Sequence, residues 1–158
     1  MPRILKIMIM IATTVGLGYI AGQITQTSVD TWYPTVAKPV FTPPNWAFPV
    51  AWGLLYFFMG IAAGLVWGEI NVDEANVKKA LKFFAIQFVL NLAWSFLFFG
   101  LRNPLLAFVE IIVLWLMIYE TYVMFAKVNK TASYLFIPYL AWVSYALVLN
   151  GAIWWLNK

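Results

Sequence analysis

The chain has no cysteine and no histidine among its 158 residues, and only 10% of them are charged. Without cysteine there is no disulfide, no thiolate metal site and no cysteine nucleophile. Without histidine, the usual axial ligand of haem iron, a usual zinc ligand and the commonest general base are missing too. Acids are the scarcer charge, six against ten lysines and arginines, for a net charge of +4. In a chain this short of charge the excess reads as a membrane-orientation signal rather than the footprint of a nucleic-acid-binding surface.

Apolar and aromatic residues fill the space that charge leaves. Hydrophobic residues make up 64% of the chain and mean hydropathy is +0.84, outside the range of soluble domains. The length accommodates about five membrane-spanning helices of roughly 20–25 residues with short connections. The expected fold is a single all-α integral membrane domain over residues 1–158, a five-transmembrane-helix bundle.

Span boundaries follow from the charges and prolines. No charge occurs between Ile7 and Val29, behind Arg3 and Lys6, which predicts a first span at 4–26. A signal peptide opens the same way, but this apolar run is too long and Ile20-Ala21-Gly22 makes no convincing cleavage site. Further spans are predicted at 46–68, 80–100, 104–127 and 132–156, with Glu69 to Lys82 as a charged exposed loop leading into the third. Thr14, Gly18 and Gly22 on the first span, and Gly60, Gly64 and Gly68 on the second, recur every four residues. Such stripes let helix backbones approach closely, either inside the bundle or across a dimer interface. Five spans put Arg3, Lys6, Lys78, Lys79, Lys82, Lys127 and Lys130 on one side and Lys38, Arg102 and Lys158 on the other. Seven against three predicts a cytoplasmic N-terminus.

Between the first two spans lies WYPTVAKPVFTPPNWAFPVAW, Trp32 to Trp52, with five of the eight prolines, three of the nine tryptophans, one cation and no acid. Thr42-Pro43-Pro44 cannot lie inside a helix or a central strand, so the segment is stiff and irregular. Its aromatics need cover, and residues 27–45 are expected to form a lid over the bundle.

Polar side chains within a span are costly unless they face the bundle interior. The third span carries Gln87, Asn91, Trp94, Ser95 and Phe98 on one face. The fifth presents Pro138, Trp142, Tyr145, Ala146, Leu149 and Asn150, and the second Trp52, Tyr56, Met59 and Ala63. Three helices could therefore line an apolar pocket with a few hydrogen-bonding groups. Asn91 and Asn150 read equally well as ligand contacts or as interhelical hydrogen bonds. Trp67, Trp115, Trp154 and Trp155 read as packing or interfacial residues. Glu110 and Glu120 lie about 80° apart on the fourth span without a mid-span cation, so no proton relay is evident; Glu110 is expected to face the interior and Glu120 to reach towards the membrane interface near Lys127.

The run Trp32-Tyr33, Lys38-Pro39, Phe41-Thr42-Pro43-Pro44, Trp46, Phe48-Pro49, Trp52, with Tyr56, Met59-Gly60 and Trp67, resembles the signature of the tryptophan-rich sensory protein (TspO/MBR) family, whose eukaryotic members are the mitochondrial translocator proteins. Asn91-Leu92-Ala93-Trp94-Ser95 with Phe98-Phe99-Gly100, and Pro138-Tyr139-Leu140-Ala141-Trp142-Val143 with Leu149-Asn150, resemble its third-helix and fifth-helix motifs. The resemblance covers nearly the whole chain. It implies a multi-pass protein of a bacterial cell membrane, a homodimer through glycine-rich helix faces, and a receptor or sensor that binds porphyrins, haem and other flat hydrophobic molecules under the lid. The implied pocket residues are Trp32, Tyr33, Trp46, Trp52, Tyr56, Asn91, Trp94, Trp142, Ala146 and Asn150. No cofactor is required and no metal site is expected; protoporphyrin or haem would be a ligand, its carboxylates near Lys38 or loop amides. The resemblance also admits a light- and oxygen-dependent enzyme that degrades protoporphyrin IX, with Trp52 and Trp142 as its oxidisable residues, or a porphyrin transporter. The cholesterol-recognition pattern of animal members needs a tyrosine and then a basic residue late in the fifth helix; LNGAIWWLNK has no tyrosine there.

Overall fold

The computed structural model describes residues 1–158. It contains helices α1 (Arg3–Thr31), α2 (Ala47–Trp67), α3 (Glu74–Ser95), α4 (Pro104–Val128), α5 (Lys130–Tyr134) and α6 (Ile137–Leu156), and no strand. Five continuous or nearly continuous helical segments are long and apolar enough to cross a membrane, the fifth being α5 and α6 together.

Several boundaries differ from those expected. α1 runs five residues past 26, because nothing breaks it until the approach to Pro34 restricts the residue before it. Thr27 and Thr31 hydroxyls donate back to the carbonyls of Gln23 and Thr27 along this extra turn. The lid is correspondingly shorter than 27–45, beginning with a 3₁₀ turn at Tyr33–Thr35. α3 begins at Glu74 rather than 80: Asp73 caps it by accepting from the Asn76 amide at 3.3 Å, the N-cap role that aspartate favours. Lys78, Lys79 and Lys82 are therefore helical, not in a loop. The fifth span is broken at Leu135–Phe136, since Pro138 lacks an amide and its ring excludes the carbonyl of Tyr134 from a continuous helix.

A π segment at Phe96–Gly100 extends α3, closed by the Leu101 amide donating to the Phe96 carbonyl at 2.7 Å. In an ordinary α-helix consecutive residues point about 100° apart. The wider turn lets both Phe98 and Phe99 bury, at 2% and 3% exposure.

α1 and α2 pack closest. A Cβ on Gly60 would lie 2.5 Å from the Ile11 Cα and one on Gly64 2.4 Å from the Ile7 Cα. The Thr14 hydroxyl donates to the Tyr56 carbonyl at 2.7 Å, and the Tyr56 ring covers Gly18. The α2 stripe is thus used inside the protomer, the first of the two uses that its spacing left open.

Candidate ligand pocket

Trp52 from α2, Trp94 from α3 with Phe98 and Phe99 from the π segment, and Trp142, Ala146 and Asn150 from α6 converge under the lid. Tyr33 and Phe48 close the chamber from above. Trp52 and Trp142 meet at right angles with centroids 6.4 Å apart, and Trp94 lies 6.3 Å from Trp52. The space left between these rings is about 20 Å³, room for about one water. In this closed state the pocket is a set of aromatic walls pressed together.

Its polar groups are unevenly satisfied. The Trp94 indole N–H donates to Asn150 Oδ1 at 2.9 Å, and Asn150 Nδ2 donates to the Pro104 carbonyl at 2.8 Å. Trp142 Nε1 and the Tyr33 hydroxyl, both lining the same chamber, are buried without a partner. Burial, with a smaller contribution from nearby Tyr145, pushes the Tyr33 phenol up to about 12, so it remains a neutral donor.

One layer deeper, four side chains form a hydrogen-bonded chain. The Tyr56 hydroxyl donates to Asn91 Oδ1 at 2.6 Å, Asn91 Nδ2 donates to the Tyr139 oxygen at 2.8 Å, and the Tyr139 hydroxyl donates to Gln87 Oε1 at 2.8 Å. Asn91 therefore spends both ends of its amide tying α2, α3 and α6 together. Tyr56 stacks on Trp52 at 5.7 Å and supports the pocket from outside. Tyr139 was the missed member of this chain; a tyrosine in a proline-started helix carries no signal of depth.

Besides Tyr56 and Asn91, two more expected pocket residues lie outside the chamber. Trp46 is 68% exposed, because it precedes α2 on the outer rim of the lid. Trp32 packs its ring edge-on against Phe98 at 5.7 Å and otherwise lines an outer cleft. Phe48 and Phe99 were not anticipated as walls; Phe99 is brought in only by the π segment, whose one trace in the sequence is the run Phe96-Leu97-Phe98-Phe99.

The lid is fastened to α6 at two places. Asn157 exchanges bonds with Ala37, donating to its carbonyl at 2.8 Å and accepting from its amide at 2.9 Å, and the Tyr145 hydroxyl donates to the Phe41 carbonyl. Lys38, expected as a partner for ligand carboxylates, instead donates to the Tyr33 and Val36 carbonyls at 2.8 and 3.0 Å and lies over the Tyr33 ring. On the far side of Trp52, a groove of about 290 Å³ opens between α1 and α2, bordered by Gly18, Gly22, Gln26, Gly53 and Tyr56. Trp52 is the partition between groove and chamber.

The remaining aromatics have structural surroundings: Trp115 donates to Ser144 Oγ at 2.8 Å, Trp154 stacks on Phe108, and Trp67 lies over the Lys6 ammonium. Both Glu110 carboxylate oxygens are buried without a partner. Glu120 is exposed and makes no ion pair with Lys127.

The sequence model of the TspO/MBR family matches residues 9–156. The chain is 44% identical over 155 residues to a tryptophan-rich protein TspO of Archaeoglobus fulgidus, covering 98% of this chain and 99% of that one. It is 41% identical over 156 residues to the protein of the same name from Chlorobaculum tepidum, covering 98% of each. To the translocator protein of Homo sapiens it is 34% identical over 123 residues, 78% of this chain and 73% of that one. With nearly its whole length matched, its five spans and its aromatic chamber, the chain belongs to the TspO/MBR family of multi-pass membrane proteins.

Proposed function

We propose that this protein is a membrane receptor that takes a tetrapyrrole, protoporphyrin IX or haem, or a similarly flat hydrophobic molecule, between the indoles of Trp52, Trp94 and Trp142. The observation that carries the reading is the pair of buried, unpartnered donors, Trp142 Nε1 and the Tyr33 hydroxyl, on two residues that line one aromatic chamber. Buried donors are rarely left unpaired, and each costs about 1–3 kcal/mol until an acceptor arrives. A flat ligand with carboxylate or carbonyl oxygens supplies stacking area and acceptors together. Haem would be held by its ring and its edge groups, since the chain offers no histidine or cysteine for the iron.

Binding requires the rings to part. The lid is pinned to the α6 side by Asn157 and Tyr145 and braced within itself by Lys38, whereas the Trp52 partition faces a groove edged by glycines. We therefore read the groove between α1 and α2 as the way in, with Trp52 swinging aside. In a homodimer, Gly16 and Gly22 are the α1 glycines still open to a second copy, since a Cβ at either meets nothing within 4 Å. Protoporphyrin IX titration followed by tryptophan fluorescence tests the reading: saturable quenching that Tyr33→Phe weakens supports it, and quenching indifferent to that change refutes the pocket.

The contact between Trp52 and Trp142 favours a second reading, in which bound protoporphyrin acts as photosensitiser and dioxygen as oxidant beside two oxidisable indoles. A defined product under illumination, lost in Trp52→Phe and Trp142→Phe, would establish it; bleaching at the rate of free porphyrin would dismiss it and leave binding intact.

A further inference from the structure

An outer cleft of about 360 Å³ lies where the α3–α4 turn, the end of α6 and the start of the lid meet. We propose that it is a binding site for the headgroup of an anionic phospholipid. Arg102 and Lys158 are its cations. Neither is paired with a carboxylate: the chain's two ion pairs, Arg3–Glu69 and Lys78–Glu74, are at the opposite end of the bundle. No acidic side chain lines the cleft, and Lys158 rests on the Trp155 ring, 3.2 Å from its centroid.

Arg102 is the chain's one non-glycine residue with positive φ, at 55°. That conformation is unfavourable for a residue with a Cβ, and a strained position is a reason to ask what its side chain does. Here it carries a guanidinium to the cleft, where two N–H groups can hold a phosphate in the bidentate manner. Asn103 and Asn157 add amide groups to the lining, and its apolar part comes from Trp154, Leu105 and Pro104 on the helices and from Trp32 and Val36 at the start of the lid. Cations at the helix ends, with tryptophans at the same level and aliphatic side chains towards the hydrocarbon, match an amphiphile with a negative head. The chamber under the lid plays no part in this argument, and the Trp32 ring, edge-on to Phe98, stands between the two.

The test uses the full chain in nanodiscs of mixed phosphatidylglycerol and phosphatidylcholine, with native mass spectrometry of the lipid retained on release. Retention should favour phosphatidylglycerol, and Arg102→Gln and Lys158→Gln should each reduce the preference about five-fold, whereas Lys78→Gln, at the other end, should not. Arg102→Gly relieves the strained φ, so it should keep or raise the thermal midpoint while losing the preference, which separates loss of the site from loss of fold. Equal retention of both lipids by the unaltered protein, or a preference that survives both Arg102 changes, overturns the proposal. So does an Arg102→Gln protein that keeps its phosphatidylglycerol but binds protoporphyrin IX more weakly and its dimethyl ester as before. The cleft would then be a carboxylate site for the tetrapyrrole.

Discussion

Trp142 Nε1 and the Tyr33 hydroxyl, on two residues that line the chamber, are buried without acceptors, while the neighbouring Trp94 has one in Asn150. The difference gives opposite expectations for similar substitutions. Tyr33→Phe deletes one oxygen that bonds to nothing, so the empty protein should be as stable or slightly more so, while affinity for protoporphyrin IX should fall about ten-fold. Asn91→Ala, by contrast, strands the Tyr56 hydroxyl and removes the donor to the Tyr139 oxygen, which keeps only its bond to Gln87, and should cost about 2 kcal/mol of stability, measured as a lower thermal midpoint in detergent. Tyr33 also sets an alkaline limit. Its phenol titrates near 12 folded against 10.0 for the free side chain, so the stability linked to it is complete below about pH 10 and lost as pH rises towards 12. Thermal midpoints between pH 9 and 12 should fall less steeply for Tyr33→Phe than for the unaltered chain. Trp52, Trp94, Trp142 and Asn150 were legible as a converging set because each sits on a helical stripe. The roles of Asn91 and Trp46 were not, since periodicity gives the face of a residue but neither its depth nor the course of an irregular loop.

α1 and α2 show what spacing can and cannot say. The four-residue recurrence of Gly60 and Gly64 announces close approach, yet only the packing shows that α1 is the partner. Leucine at Gly60 or Gly64 would collide with the α1 backbone and should abolish the folded protein, seen as aggregation on size-exclusion chromatography. A Cβ at Gly22 meets nothing within 4 Å; Gly22→Leu should fold with an unchanged thermal midpoint and slow porphyrin association in stopped-flow quenching, because Gly22 edges the groove beside Trp52. The start of α4 was readable at Asn103-Pro104, whereas α3 and α5, capped by Asp73 and Asn129, begin at Glu74 and Lys130 rather than at the expected 80 and 132. The π segment was not readable, because its wider turn is settled by the burial of Phe98 and Phe99 rather than by local preference.

The whole molecule is a five-span bundle that holds Trp52, Trp94 and Trp142 against one another. Charge, hydropathy and proline placement were enough to give five spans and the lid, since each is a local property of the chain. The closed volume of about 20 Å³ depends on how four elements meet and could not be read in advance. That closure makes a demand on any bound ring system: it must open the chamber and occupy the space beside Ala146, the one small side chain among its walls. The most direct measurement is a protoporphyrin IX titration, by tryptophan quenching, of the unaltered protein against Ala146→Phe. Saturable quenching in the first and an affinity at least about ten-fold weaker in the second, with the helical circular dichroism signal unchanged, is the expected result. Equal affinities would contradict the account, placing the ligand outside the chamber.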